Sequence, residues 1–178
     1  MDNKRIKIEY LFLDLNTCSP CRATEAALDE AVSAIAPVLE ECGYKITTCK
    51  IQVLNEDHAR LLKFTSSPSI RINGLDIQPE IREKLCPSCS EISGNNAIDC
   101  RVWVYNGEEY WSPPKAMIID AILRAAYSGS EQDANTPPFT DVPDNIKLFF
   151  AGKEAGGHNS CCGPSGSTGC CPPNSCCS

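Results

Sequence analysis

Apolar and polar residues alternate from Ile6 to Tyr10, with Lys7 and Glu9 between them, before the chain turns almost wholly apolar through Leu11, Phe12, Leu13 and Leu15. That pattern predicts a strand that becomes buried toward its C-terminal end. From Pro20 to about Cys42 the period changes: Leu28, Val32, Ile35 and Leu39 recur at helical spacing, Glu25, Asp29 and Glu30 occupy the early turns, and Gly43 supplies a stop. Pro37 within this helix predicts a kink. Residues 44–54 are rich in β-branched types and predict a second strand, parallel to the first because a long helix separates them.

After this βαβ unit the spacing predicts a short helix over 55–64 and a hairpin over 69–77, turning at Asn73-Gly74. A second hairpin over 98–111 turns at Asn106-Gly107, and Trp103, Tyr105, Tyr110 and Trp111 give it an aromatic packing surface. Pro113-Pro114 then opens a helix whose apolar face is Ile118, Ile119, Ile122, Leu123 and Ala126. The fold class is therefore α/β, with residues 1–127 as one domain carrying an insertion at 80–112. Residues 128–151 read as a linker with a short apolar docking segment at 145–150. Residues 152–178, rich in Gly, Ser, Pro, Asn and Cys, read as a flexible tail, disordered unless a ligand organises it.

Composition narrows the function. A formal net charge of -7 over 178 residues repels phosphate backbones and anionic bilayers, and Lys and Arg nowhere cluster with aromatics, so nucleic acid is not an expected partner. No window approaches the roughly 18 apolar residues of a membrane span. The N-terminus leads into the first strand without an apolar export region, so the expected location is cytoplasmic. Thirteen cysteines are too many for an ordinary reduced-compartment protein and direct attention to redox chemistry or metal binding.

Cys18-Ser-Pro-Cys21 lies where the first strand hands over to the first helix. A thiol at a helix N-terminus faces unpaired backbone N–H groups, which favour the thiolate, and Pro20 suits a first turn that needs no N–H. The pair is a redox candidate; the same spacing is also half of a zinc site. Cys86-Pro-Ser-Cys89 with Cys100 offers a second redox pair, or three zinc ligands whose fourth partner must come from elsewhere, in a clip that pins the insertion to the domain. A relay of electrons between the two groups requires sulfurs in contact. Cys42 and Cys49 carry no motif and read as ordinary thiols. The tail holds three vicinal pairs, Cys161-Cys162, Cys170-Cys171 and Cys176-Cys177, close to His158. Adjacent cysteines rarely bridge each other, so the pairs read as soft-ion ligands for Cu(I), Zn(II), As(III) or Hg(II), against a plain low-complexity tail.

The order strand, Cys-x-x-Cys, helix, strand, helix, Ser67-Pro68, hairpin and later helix resembles the thioredoxin fold over residues 5–127, and in particular small prokaryotic thioredoxin-fold proteins. In that superfamily a cis-proline loop lies against the active-site sulfurs. The resemblance implies a thiol-disulfide oxidoreductase in which Cys18, the more exposed sulfur, attacks, Cys21 resolves, and Pro68 forms the substrate-side wall. Its partners would be a protein or small-molecule disulfide and a reductase, with no cofactor required for redox activity. Thioredoxins carry a buried acid six residues before the first cysteine, where this chain has Phe12; Asp14 lies four before. The alternative is a soft-metal or metalloid carrier using the tail, whose vicinal pairs resemble those of arsenic metallochaperones. A third reading makes the domain a docking scaffold.

Overall fold

A computed structural model describes residues 4–94, 97–128 and 138–157. The first strand, β1 (Lys4–Phe12), pairs in parallel with β2 (Tyr44–Gln52) through the helix α1 (Ser19–Glu41). α2 (Glu56–Leu61) leads to β3 (Ser69–Ile72), which pairs antiparallel with the other side of β1, and β4 (Leu75–Asp76) closes the sheet in the order β2-β1-β3-β4. Asn73 and Gly74 make the tight turn between β3 and β4 at φ 52° and 86°, backbone that Asn and Gly tolerate best. The result is a mixed α/β architecture.

β1 is an inner strand with hydrogen-bonded neighbours on both edges, and it buries Ile6, Ile8, Tyr10 and Leu11 while Lys7 stays exposed. α1 lays Leu28, Ala31, Ile35 and Leu39 on this core, and α4 (Lys115–Tyr127) packs beside it with Met117, Ile118 and Ile122. Burying each large aliphatic side chain here contributes about 1.5–3 kcal/mol. Pro37 lies inside α1, which continues through it to Glu41.

The insertion builds a second, antiparallel sheet from β5 (Arg82–Leu85), β6 (Asp99–Tyr105) and β7 (Glu108–Tyr110), with a short helix α3 (Pro87–Ser93) between β5 and β6. The β6–β7 hairpin is the one its Asn-Gly turn predicts; Trp103 is buried in it, whereas Trp111 is exposed. The two sheets are stitched by backbone and side chain: Arg101 N–H donates to the Ser67 carbonyl at 2.9 Å, and Gln78 bonds both Val102 O and Val104 N.

A fifth helix, α5 (Asp144–Gly157), packs on α3 and α2. It corrects the sequence boundary at 151. The docking segment does not stop there, because Ala151, Lys153, Glu154 and Ala155 sustain a helix and Gly152 lets its backbone approach α3. A Cβ at Gly152 would overlap the Ser93 carbonyl oxygen and lie 2.9 Å from its carbon. No helix among the described residues is long and apolar enough to cross a membrane.

Candidate metal centre

Cys18 is the N-cap of α1, and its sulfur accepts the Cys21 N–H at 3.3 Å. Pro20 sits in the first turn, as the sequence predicts. The strand-to-helix turn before it is shaped by Asp14, whose carboxylate accepts the N–H groups of Asn16 at 2.6 Å and Thr17 at 3.1 Å. Tyr10 reaches up from β1 to donate to the Cys21 carbonyl at 2.7 Å.

The insertion repeats this device. Cys86 is the N-cap of α3, Pro87 opens the helix, and Cys89 stands on its first turn. Cys100 comes from β6, held beside α3 by the bond from Cys86 N–H to the Ile98 carbonyl at 2.8 Å. The two Cys-containing turns meet. The sulfurs of Cys18, Cys86, Cys89 and Cys100 all lie within 4.8 Å of one another, with Cys89 3.8 Å from Cys18 and 3.2 Å from Cys100. Cys18 therefore brings a fourth sulfur to the three of the insertion, in a set that could hold a metal ion. A tetrahedral site with metal–sulfur bonds of about 2.3 Å spaces its sulfurs about 3.8 Å apart, so this set already approximates a tetrathiolate shell.

Cys21 stands outside that set. Its sulfur lies 2.7 Å from Cys18 and 3.8 Å from Ser67 Oγ. All five thiols are 0% exposed. That corrects the expectation that Cys18 is the open, substrate-facing sulfur: α3 and β6, which ordinary thioredoxins lack, cap the end of α1. Pro68 follows a cis peptide from Ser67 and is likewise buried. Cys42 is exposed at the end of α1 and Cys49 is half-buried in β2, both apart from the cluster.

The thiols do not share their protons evenly. Hydrogen bonding from Cys100, then from Cys21, Cys86 and Cys89, holds Cys18 far below the ordinary thiol range despite its burial. Cys86 is lowered as well, chiefly by Cys100. Cys21 is pushed up by its bond to Cys18 and by burial, and Cys100 by its bonds to Cys18, Cys86 and Cys89. Cys89 also rises: the bond with Cys100 pulls it down, and Cys18, Cys86 and burial outweigh that pull.

Sequence spacing missed this convergence because Cys18 and Cys89 are 71 residues apart. The available signal was the duplicated Cys-x-x-Cys turn with a proline inside it, which places thiols alike at two helix starts. Cys161, Cys162, Cys170, Cys171, Cys176, Cys177 and His158 lie outside the described residues. No curated protein and no solved structure matches the chain. A match over residues 6–122, which takes in all five clustered cysteines, shows that the chain belongs to the family described as Domain of unknown function (DUF2703).

Proposed function

We propose that this is a thioredoxin-like protein that binds one thiophilic metal ion, zinc being the simplest case, through Cys18, Cys86, Cys89 and Cys100. The observation that carries the reading is the approach of these four buried sulfurs to within 4.8 Å of one another. An all-cysteine, closed shell leaves no position for water, which is the mark of a metal-holding site rather than of hydrolytic metal catalysis. The ion would join the βαβ unit to the insertion. Structural zinc in small peptides binds with about 10–16 kcal/mol, or about 2.5–4 kcal/mol for each of four thiolates, so losing one ligand weakens binding by about 100- to 1000-fold.

The test is metal stoichiometry of the reduced protein, with zinc affinity measured by competition against a chromophoric chelator. The full chain is compared with the chain ending at residue 157, which removes the vicinal pairs. One tightly held zinc in both forms, weakened by about 100-fold or more in Cys18→Ser and Cys100→Ser, supports the site. Binding that disappears with the tail would instead favour the tail as the soft-metal carrier.

A second reading is thiol-disulfide exchange, favoured by the 2.7 Å separation of Cys18 and Cys21. Cys18 thiolate would attack a disulfide and release one thiol; Cys21 would then displace the second, leaving a Cys18–Cys21 disulfide. Cys89, in contact with Cys18, offers a route onward to Cys100. By resemblance to thioredoxin-like proteins, the loop before Pro68 is where substrate backbone is held, and here β6 bonds that loop itself. Exchange with a partner therefore requires the insertion to move. Loss of model-disulfide reduction in Cys18→Ser tests this reading.

A further inference from the structure

Cys18 belongs to two sulfur groups at once. It is one of the four mutually adjacent sulfurs, and it is also the nearest neighbour of Cys21, at 2.7 Å against 3.8 Å to Cys89. A sulfur bonded to another sulfur has lost the thiolate lone pair that a metal needs. Metal and disulfide therefore compete for a single atom. Cys21 is not required to complete the tetrathiolate, yet it is buried, pointed at the shared ligand and braced by Ser67 Oγ at 3.8 Å, and metal binding alone gives it no role.

The geometry points to Cys21 as a redox gate on the metal site: a Cys18–Cys21 disulfide and a bound thiophilic ion oppose each other, so oxidation loosens the ion and the ion protects the pair from oxidation. This rests on the metal reading given above. The oxidant is a small disulfide. Its two sulfurs leave as two thiols, taking the electron pair, the proton of Cys21 and a second proton from water; the Cys18–metal bond breaks, the Cys18–Cys21 bond forms, and the ion is left more weakly held on Cys86, Cys89 and Cys100. Reduction by two thiols runs the same steps backward. The fold suits the exchange because both partners sit on one turn: Cys18 caps α1 and Cys21 lies on its first turn, so closing the pair rearranges one short segment.

The coupling is reciprocal. Whatever factor the disulfide takes from zinc affinity, saturating zinc takes from the ease of forming the disulfide. A ligand worth about 100-fold in affinity shifts the reduction potential of the pair by about 59 mV toward the reduced form, at 29.6 mV per decade for two electrons.

The experiment equilibrates the full-length protein in a glutathione redox buffer with and without zinc. Zinc binding is read by chelator competition, and disulfides are located by alkylation and peptide mass mapping. The expected result is a Cys18–Cys21 disulfide in oxidising buffer, zinc affinity lower by about 100-fold in that state, and a matching shift of the thiol-disulfide midpoint when zinc is present. Cys21→Ser should bind zinc within about threefold of the parent and lose the dependence of affinity on the redox buffer. Cys21→Ala provides the same readout if the serine variant folds poorly. Equal zinc affinity in the oxidised and reduced parent, an undiminished redox dependence in the Cys21 variants, or a first disulfide between other cysteines would each overturn the gate while leaving the metal site standing. A reduced parent that binds no zinc would overturn both.

Discussion

Arg101 is the residue on which the position of Cys100 depends. It is fully buried, yet its guanidinium is served on several sides: Asp76 accepts two bonds at 2.8 and 2.6 Å, Ser69 Oγ accepts one at 3.0 Å, the Gln78 carbonyl accepts another, and the Trp103 ring lies 4.5 Å below. These contacts bind β6 to β3 and β4, and so carry the neighbouring thiol to Cys18. Asp76→Ala leaves a buried cation without its counter-ion and is expected to cost about 3–5 kcal/mol in urea unfolding, whereas Arg101→Met, which removes the charge, costs less. A cost below about 1 kcal/mol for Asp76→Ala would show that the pair does not set the insertion.

Glu83 makes the opposite kind of contribution. Burial, the largest cause, raises its carboxyl pKa; the Ser66 hydroxyl opposes that at 2.7 Å, Asp99 adds to it, and Asn145 opposes it again. The folded protein thus holds this proton more tightly than the unfolded chain. Stability associated with Glu83 is greatest below the ordinary carboxyl pKa and is lost as pH rises toward the raised folded value. Glu83→Gln keeps an acceptor for Ser66 and removes the charge. It should match or exceed the parent in stability near pH 7.5, with the difference disappearing near pH 4, as read by unfolding at the two pH values. Destabilisation confined to the higher pH would contradict this.

At the scale of elements, β1, α1, β2 and both hairpins were legible because each has a strong local signal: alternation, a helical period, or Asn-Gly. β5 was not, since Arg82–Leu85 is a largely exposed, charged edge strand without a buried face. α3 is seven residues long, too short for a period to register, although Pro87 and Gly94 mark its ends. α5 was read only through its apolar centre, because the two glycines at its end resemble a tail. Gly152 is there for space. Gly152→Ala, which would favour an isolated helix by about 1 kcal/mol, should instead destabilise this protein by about 1–3 kcal/mol in thermal unfolding, because the new methyl meets Ser93 backbone. An increase in stability would mean that α5 does not dock on α3 as described.

Over the whole molecule, the two sheets converge on sulfur. The first sheet contributes one sulfur through the start of α1, the insertion contributes three through α3 and β6, and the fifth thiol, Cys21, lies on the α1 side. Spacing singled out Cys18-Cys21 and Cys86-Cys89-Cys100 as separate groups, but not their union, because it depends on how an insertion folds over a core built from distant residues. The most direct measurement is zinc X-ray absorption of the reduced, zinc-loaded protein. Four sulfur neighbours at about 2.3 Å are predicted. A shell with nitrogen or oxygen ligands, or one unchanged by Cys18→Ser, would contradict the account.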